Sequence, residues 1–149
     1  MSAVDQFEDD LLDLIFTNID APNIGDAAGL QNSATEGSLF ISLHTDAGAV
    51  GETDTAQTQF EAAYGSYARQ GVIRNISAWT VAAGTVDNDA AITYPQATSG
   101  TETEDQFGIG FAVSGAGYLQ IYGSLTGTLA VSTGITPEFA AGDLDISIN

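Results

Sequence analysis

From Ser38 onward the chain carries separate short runs in which apolar residues recur at every second position, and this period restricts them to β-strands. In "SLFISLHT", Leu39, Ile41 and Leu43 alternate with Phe40, Ser42 and His44. Trp79 and Val81 share one face of a second run, and Ile92 and Tyr94 share a face of a third. The alternation is cleanest in "FGIGFAV", where Phe107, Ile109, Phe111 and Val113 take one side and Gly108, Gly110 and Ala112 the other. One side is expected to fill a core, and the flat glycine side to let another backbone or subunit approach closely. "SGAG" at 114–117 reads as a turn. The following "YLQIYGSL" places Leu119, Ile121 and Leu125 opposite Tyr118, Gln120 and Tyr122, so the two runs predict a hairpin. A run at Leu129 and Val131, a break at "TGITPEF" and a terminal "DLDISIN" with Leu144, Ile146 and Ile148 inward complete the set. Many short strands divided by turn signals predict a mainly β fold, an antiparallel β-sandwich of jelly-roll type.

The first twenty residues follow a different period. Val4, Phe7, Leu11, Leu14 and Ile15 fall at helical spacing, with Ser2 or Asp5 placed to cap an acid-rich first turn. An amphipathic helix is expected over 3–19, its acids Asp5, Glu8, Asp9 and Asp13 forming a solvated face. Residues 21–37 are rich in Gly, Ala, Asn and Asp without periodicity and read as a linker tethering the helix to a β-domain over 38–149. A chain of 149 residues suffices for one such core, burying roughly 68–70 % of its unfolded surface.

Charge narrows the function. Twenty acids stand against Arg69 and Arg74, with no lysine, for a formal net charge of -18. Nucleic acid and anionic membrane surfaces are bound through Lys and Arg that displace counterions, so neither is an expected partner. High like charge suits a protein displayed at high density or living in salt water. The N-terminus carries no basic residue and is interrupted by acids, unlike a signal or transit peptide, and no apolar run is long enough to cross a bilayer. With no cysteine, neither a disulfide nor a thiolate metal site is available.

Catalytic chemistry has little to work with. His44 is the only histidine, which leaves a Ser–His–Asp arrangement one candidate and a zinc site only carboxylate partners. Its expected role is a local bond to a hydroxyl or carboxylate at a strand end before an exposed loop. Paired acids for glycoside hydrolysis could come from Glu102, Glu104 and Asp105, from Asp87 and Asp89, or from Asp143 and Asp145. All fall in turns or on polar strand faces and read as solvated. Calcium could draw on Asp87 with Asp89, or Glu52 with Asp54, but neither pair has EF-hand spacing. No cofactor is expected. Arg69 and Arg74, scarce among acids, read as structural bridges to carboxylates or carbonyls. Tyr64, Tyr67, Trp79, Tyr118 and Tyr122 could stack on sugars, although strands carry such residues for packing. Tyr118 and Tyr122 lie opposite the inferred core and, with Phe7, Leu11, Leu14 and Ile15 of the helix, are the interface candidates.

Five stretches in order, "SLFISLHTDAGAVGE", "YGSYARQGVIR", "WTVAAGTVDNDAAITYPQAT", "FGIGFAVSGAGYLQIYGSL" and "VSTGITPEFAAGDLDISIN", resemble a family of small virion proteins of tailed bacteriophages, labelled tail-fibre-like or head-decoration proteins. The resemblance spans about residues 1–149 and departs at Asp46-Ala47-Gly48, where the related pattern often has a proline after the aspartate. It implies a non-enzymatic structural protein of the particle, made in the host cytoplasm. The leading expectation is a capsid decoration or cement protein on the head exterior. It would bind the major capsid protein and sister copies, in a homo-oligomer that a trimer would satisfy, and stabilise the shell by mass action. The alternative is a tail-associated fibre or receptor-binding module that contacts host surface glycans.

Overall fold

The computed structural model describes residues 3–25 and 29–148. The fold is mainly β with antiparallel strands and one N-terminal helix. The chain forms two compact units. One takes its residues from the N-terminal segment up to Ser38, from Ile73–Ile92 and from Phe139 onward; the other comprises Leu39–Val72 and Thr93–Glu138.

The second unit is built on four strands: β1 (Ser38–Thr45), β2 (Gln70–Ile73), β6 (Thr101–Gly110) and β7 (Leu119–Ser132), in the order β2-β1-β6-β7. Leu43 stands opposite Phe107, and Phe107 opposite Gly123. Leu39, Ile41, Ser42, Leu43 and His44 of β1 are all buried, as are Gln106 to Gly110 of β6, so these central strands are covered on both faces. Tyr64, Tyr67 and Tyr94 form an aromatic cluster in this unit, Tyr67 stacked on Tyr94 at 6.2 Å and edge-on to Tyr64 at 5.3 Å. The Tyr94 hydroxyl donates to the Ile41 carbonyl at 3.3 Å.

Two expectations for "FGIGFAV" change. The glycine face is filled from within the unit: a β-carbon on Gly108 would meet His44, Ser42 and Leu119, and one on Gly110 would meet Gln57 and the Tyr118 carbonyl. It offers no flat surface to a neighbour. The strand also ends at Gly110, so Phe111 and Val113 leave the core and are 51 % and 65 % exposed. β7 then runs back through Val131 as one strand, although Glu104 faces Leu129 and Gln106 faces Ser124. Leu125–Thr128 therefore bulge opposite Asp105.

The first unit joins α1 (Asp5–Leu12) and a π-helical turn (Asp13–Thr17) to the three-stranded order β3-β4-β9, from β3 (Trp79–Ala82), β4 (Thr85–Asn88) and β9 (Ile146–Ser147). Ala83 and Gly84 link β3 to β4 with φ of 54° and 77°, the backbone twist that a tight hairpin requires. A two-stranded pair, β5 (Ile92–Thr93) with β8 (Glu138–Phe139), completes the strands. The helix is packed, not tethered. Leu12 and Phe16 are fully buried, and the Phe16 ring meets Trp79 edge-on at 4.9 Å. The buried stripe differs from the one its spacing suggested: Val4 and Phe7 are exposed and Leu11 is half-buried where Leu12 is buried, and past Leu12 the wider π turn resets the phase, leaving Leu14 and Ile15 half-buried and Phe16 buried.

The acidic face is not merely solvated. Asp9 accepts the Gly84 N–H at 2.7 Å, and Asp10, itself buried, accepts from Gln6 and Asn23 at 2.8 Å. Val4 occupies the N-cap without a side-chain bond and Asp5 opens the helix; Ser2 lies outside the described residues. The stretch after the helix is tied back by its own polar residues: Asn18 and Ser33 exchange bonds at 2.9 and 3.0 Å, Asp20 accepts the Asn32 N–H at 2.7 Å, and Ala21 bridges to Leu30.

Because Phe16 and the sole tryptophan share this core, Phe16→Ala should cost about 3–5 kcal/mol of stability. Urea unfolding followed by Trp79 fluorescence measures it, with a lowered midpoint expected.

Candidate functional site

Residues 111–118, between β6 and β7, form a hairpin tip held from beneath by one buried guanidinium. Arg69, 6 % exposed, donates from Nε to Glu61 Oε1 at 2.6 Å and from Nη2 to Glu61 Oε2 at 2.7 Å, a bidentate pair. Its remaining donors turn to the loop: Nη1 reaches the Ala112 carbonyl at 2.9 Å and Nη2 the Gly115 carbonyl at 2.7 Å, with Gln57 Oε1 at 3.3 Å from Nη1. Each N–H of the group thus has an acceptor, the condition under which a buried charge is tolerated.

Gln57, also fully buried, ties the same loop to β1. Its Oε1 accepts the Ala112 N–H at 3.2 Å, its Nε2 donates to the Phe40 carbonyl at 3.1 Å, and its backbone N–H donates to Ala116 at 2.8 Å. The Leu119 N–H closes the base on the Thr55 carbonyl at 2.8 Å. At Gly117, φ is +53° and a β-carbon would strike Ala112 and Gln57, so glycine is required there. With its carbonyls held inward, the loop turns Phe111, Val113 and Tyr118 to solvent, Tyr118 58 % exposed. From Gln106 to Pro137 the sequence carries no acid and no base, so this apolar tip is uncharged on a chain of net charge -18.

The other candidate residues are placed as follows. Phe7 is 44 % exposed, and Tyr122 is half-buried on β7. Tyr64 and Trp79 are 2 % and 1 % exposed and Tyr67 is half-buried, so these three serve packing and offer no sugar platform. Arg74 donates from Nε to the Ile15 carbonyl and from Nη2 to the Leu14 carbonyl, both at 2.6 Å, capping the open carbonyls at the helix end.

His44 stands one residue before the end of β1, ahead of the turn that starts at Asp46, but is fully buried there. Its Nδ1–H donates to the Gln59 carbonyl at 2.7 Å, leaving Nε2 to accept from the Ser42 hydroxyl at 2.9 Å. Burial lowers its pKa and keeps the ring neutral.

Several acids act on backbone. Glu102 accepts from Ala63 and Tyr64, and Asp54 and Asp143 close their own turns on Gly51 and Ala140. Asp89 accepts the Thr80 hydroxyl at 2.7 Å. Among the described residues no cluster of three or more His, Cys, Asp or Glu could hold a metal ion.

Glu104 departs furthest from the solvated reading, and Asp105 beside it also has a buried, unpartnered Oδ1. Glu104 is fully buried, neither carboxyl oxygen has a hydrogen-bond partner, and the nearby Tyr64 hydroxyl is unpartnered too. Burial, with Glu102, Asp105 and Asp46 adding negative charge, pushes the Glu104 pKa up to about 8.

The family model described as podophage GP4 fiber I protein gp80 matches residues 5–147. The chain belongs to this family. It is accordingly a member of a family of small structural proteins of tailed-phage virions. A search of the curated proteins gives no match. In this virion structural protein the residues that sequence reasoning passed over are Gln57 and Glu61, and the scarcity of arginine was the one signal that could lead to them. Phe111 and Val113 were hidden by an alternation that continues past the end of their strand.

Arg69→Ala leaves the largely buried Glu61 with the Tyr67 hydroxyl as its remaining side-chain donor and should cost about 3–5 kcal/mol. Protease cleavage within 111–118 should accelerate at the same time, read by mass spectrometry of timed digests. Glu104→Gln separates the pH behaviour. The native carboxyl binds its proton more tightly folded than unfolded, so its stabilising contribution is full below its ordinary pKa near 4.5 and is lost as pH rises toward about 8. The variant should match the native protein at pH 4 and exceed it by on the order of 1–3 kcal/mol at pH 8, measured by denaturant unfolding.

Proposed function

We propose that this chain is a non-enzymatic subunit of a tail-associated fibre, and that its clamped hairpin tip is the surface through which it meets a neighbouring macromolecule. The family match across nearly the whole chain carries the fibre reading, since the family is described by a fibre protein. The tip supports an interaction role: Arg69 and Gln57 hold its backbone while Phe111, Val113 and Tyr118 face solvent. A protein without such a role gains nothing from stabilising an exposed apolar loop.

Capsid decoration, with the major capsid protein as partner, explains the strong acidity of a densely displayed protein equally well, but the family description favours the fibre. A receptor-binding role for the tip would use Phe111 and Tyr118 as aromatic faces toward host glycans.

Quantitative mass spectrometry of purified particles, reading copies of this chain against the major capsid protein, tests the proposal. A small number of copies per particle is expected; a ratio near that of the capsid lattice would replace the fibre by decoration.

A further inference from the structure

Glu102 and Glu104 stand two residues apart on β6 and so share one face of the strand. Their surroundings differ. The Glu102 carboxylate is an acceptor: Oε1 takes the Ala63 N–H at 3.0 Å and the Tyr64 N–H at 2.9 Å, and Oε2 takes the Ala63 N–H again at 3.3 Å. Glu104 is fully buried, and no donor reaches either of its oxygens.

The groups that face Glu104 do not support a negative charge there. Glu102 and Asp105 lie beside it on β6, Asp46 approaches from the turn after β1, and Tyr64 and Tyr94 stand near it from the segments that follow β1 and β5. Across the ladder it meets Leu129, and β7 has no charged residue. Neither arginine bonds it: Arg69 is held by Glu61, Gln57 and the tip carbonyls, and Arg74 by the Leu14 and Ile15 carbonyls. A buried carboxyl without donor or counter-ion takes up a proton. The neutral acid then has one O–H to give. The Glu102 carboxylate lies within hydrogen-bonding reach on the same face and can receive it.

We infer that Glu102 and Glu104 form a proton latch: one proton, carried by Glu104 and donated to the Glu102 carboxylate, holds Glu102 against the Ala63 and Tyr64 amides. Loss of that proton leaves two carboxylates at hydrogen-bonding distance. Glu104 is enclosed, so the half-buried Glu102 is the group that turns away to water and releases both amides. The chain on either side keeps its own anchors, the Ala62 N–H on the Leu43 carbonyl at 2.9 Å and the Gly65 N–H on the Ser99 carbonyl at 2.8 Å. The opening is therefore confined to the two residues between them. Burial and the surrounding acids keep the proton on the pair until the pH reaches about 8, so the latch is closed at neutral pH and opens in mild alkali. It is a property of the isolated chain and does not rest on the fibre reading.

Carbon and proton NMR of the purified full-length protein tests it. At about pH 6, well above the range in which an ordinary glutamate ionises, the Glu104 carboxyl carbon should still resonate as a neutral acid. As the pH is raised through about 8, that carbon and the Ala63 and Tyr64 amide protons should shift together with one midpoint, the amides losing the downfield position of a charge-assisted bond. The Ala62 amide should stay in place. Glu104→Gln keeps a side-chain donor toward Glu102 and has no proton to lose, so its Ala63 and Tyr64 amides should not move over that range. A Glu104 already ionised at about pH 6 overturns the inference. So do Ala63 and Tyr64 amides that stay put while Glu104 titrates, or that shift alike in the variant.

Discussion

Two guanidinium groups supply all the arginine and lysine charge of this chain, and both are turned toward its own backbone. Each does what a carboxylate cannot: it gathers carbonyl oxygens that secondary structure leaves open. Arg74 takes the last carbonyls of the helical segment, at Leu14 and Ile15. Arg69 takes Ala112 and Gly115 while Glu61 holds it in a bidentate grip. A lysine in the second place would offer a compact charge without the planar fork that fits carboxylate and carbonyls together. With both cations engaged this way, most acids have no cationic partner, and the surface stays strongly negative.

That surplus of acid shapes the rest of the molecule. Several carboxylates are used structurally as acceptors of backbone N–H groups, as Glu102 is from Ala63 and Tyr64 and Asp9 is from Gly84. Glu104 lacks such donors, and burial raises its pKa toward neutrality. His44 titrates in the opposite sense: burial lowers its pKa, so the stability it contributes is full above its ordinary value near 6.5 and declines on acidification. A chain built this way keeps its exposed apolar tip apart from its charge. The charged residues lie before Gln106 or after Pro137, and the uncharged tip lies between.

Strand alternation and the single N-terminal helix were legible because period two and helical spacing are local properties of the chain. Leu144 and Ile146 are buried, as their alternation implies. Phase and extent were less legible. Helical spacing alone did not show which face of the helix packs, so the stripe through Val4 and Phe7 looked buried when Leu12 is, and nothing in "DDLLDLIFTN" announces the π turn that brings Phe16 into the core. In "FGIGFAV" the alternation outlasts the strand, since the chain leaves the sheet at Gly110 while the apolar residues continue.

The sequence by itself determined the class of fold, the surplus of negative charge, the lack of thiolate chemistry and the kinship with virion structural proteins. These depend on composition, period and ordered motifs, all of which exist before folding. Only the tertiary structure decided that His44 is a satisfied core residue, that Glu104 is buried, and that Gln57, Glu61 and Arg69 converge beneath the hairpin tip. Those facts depend on which distant segments meet: Arg69 and Gly115 lie far apart along the chain, and only folding brings the guanidinium to that carbonyl.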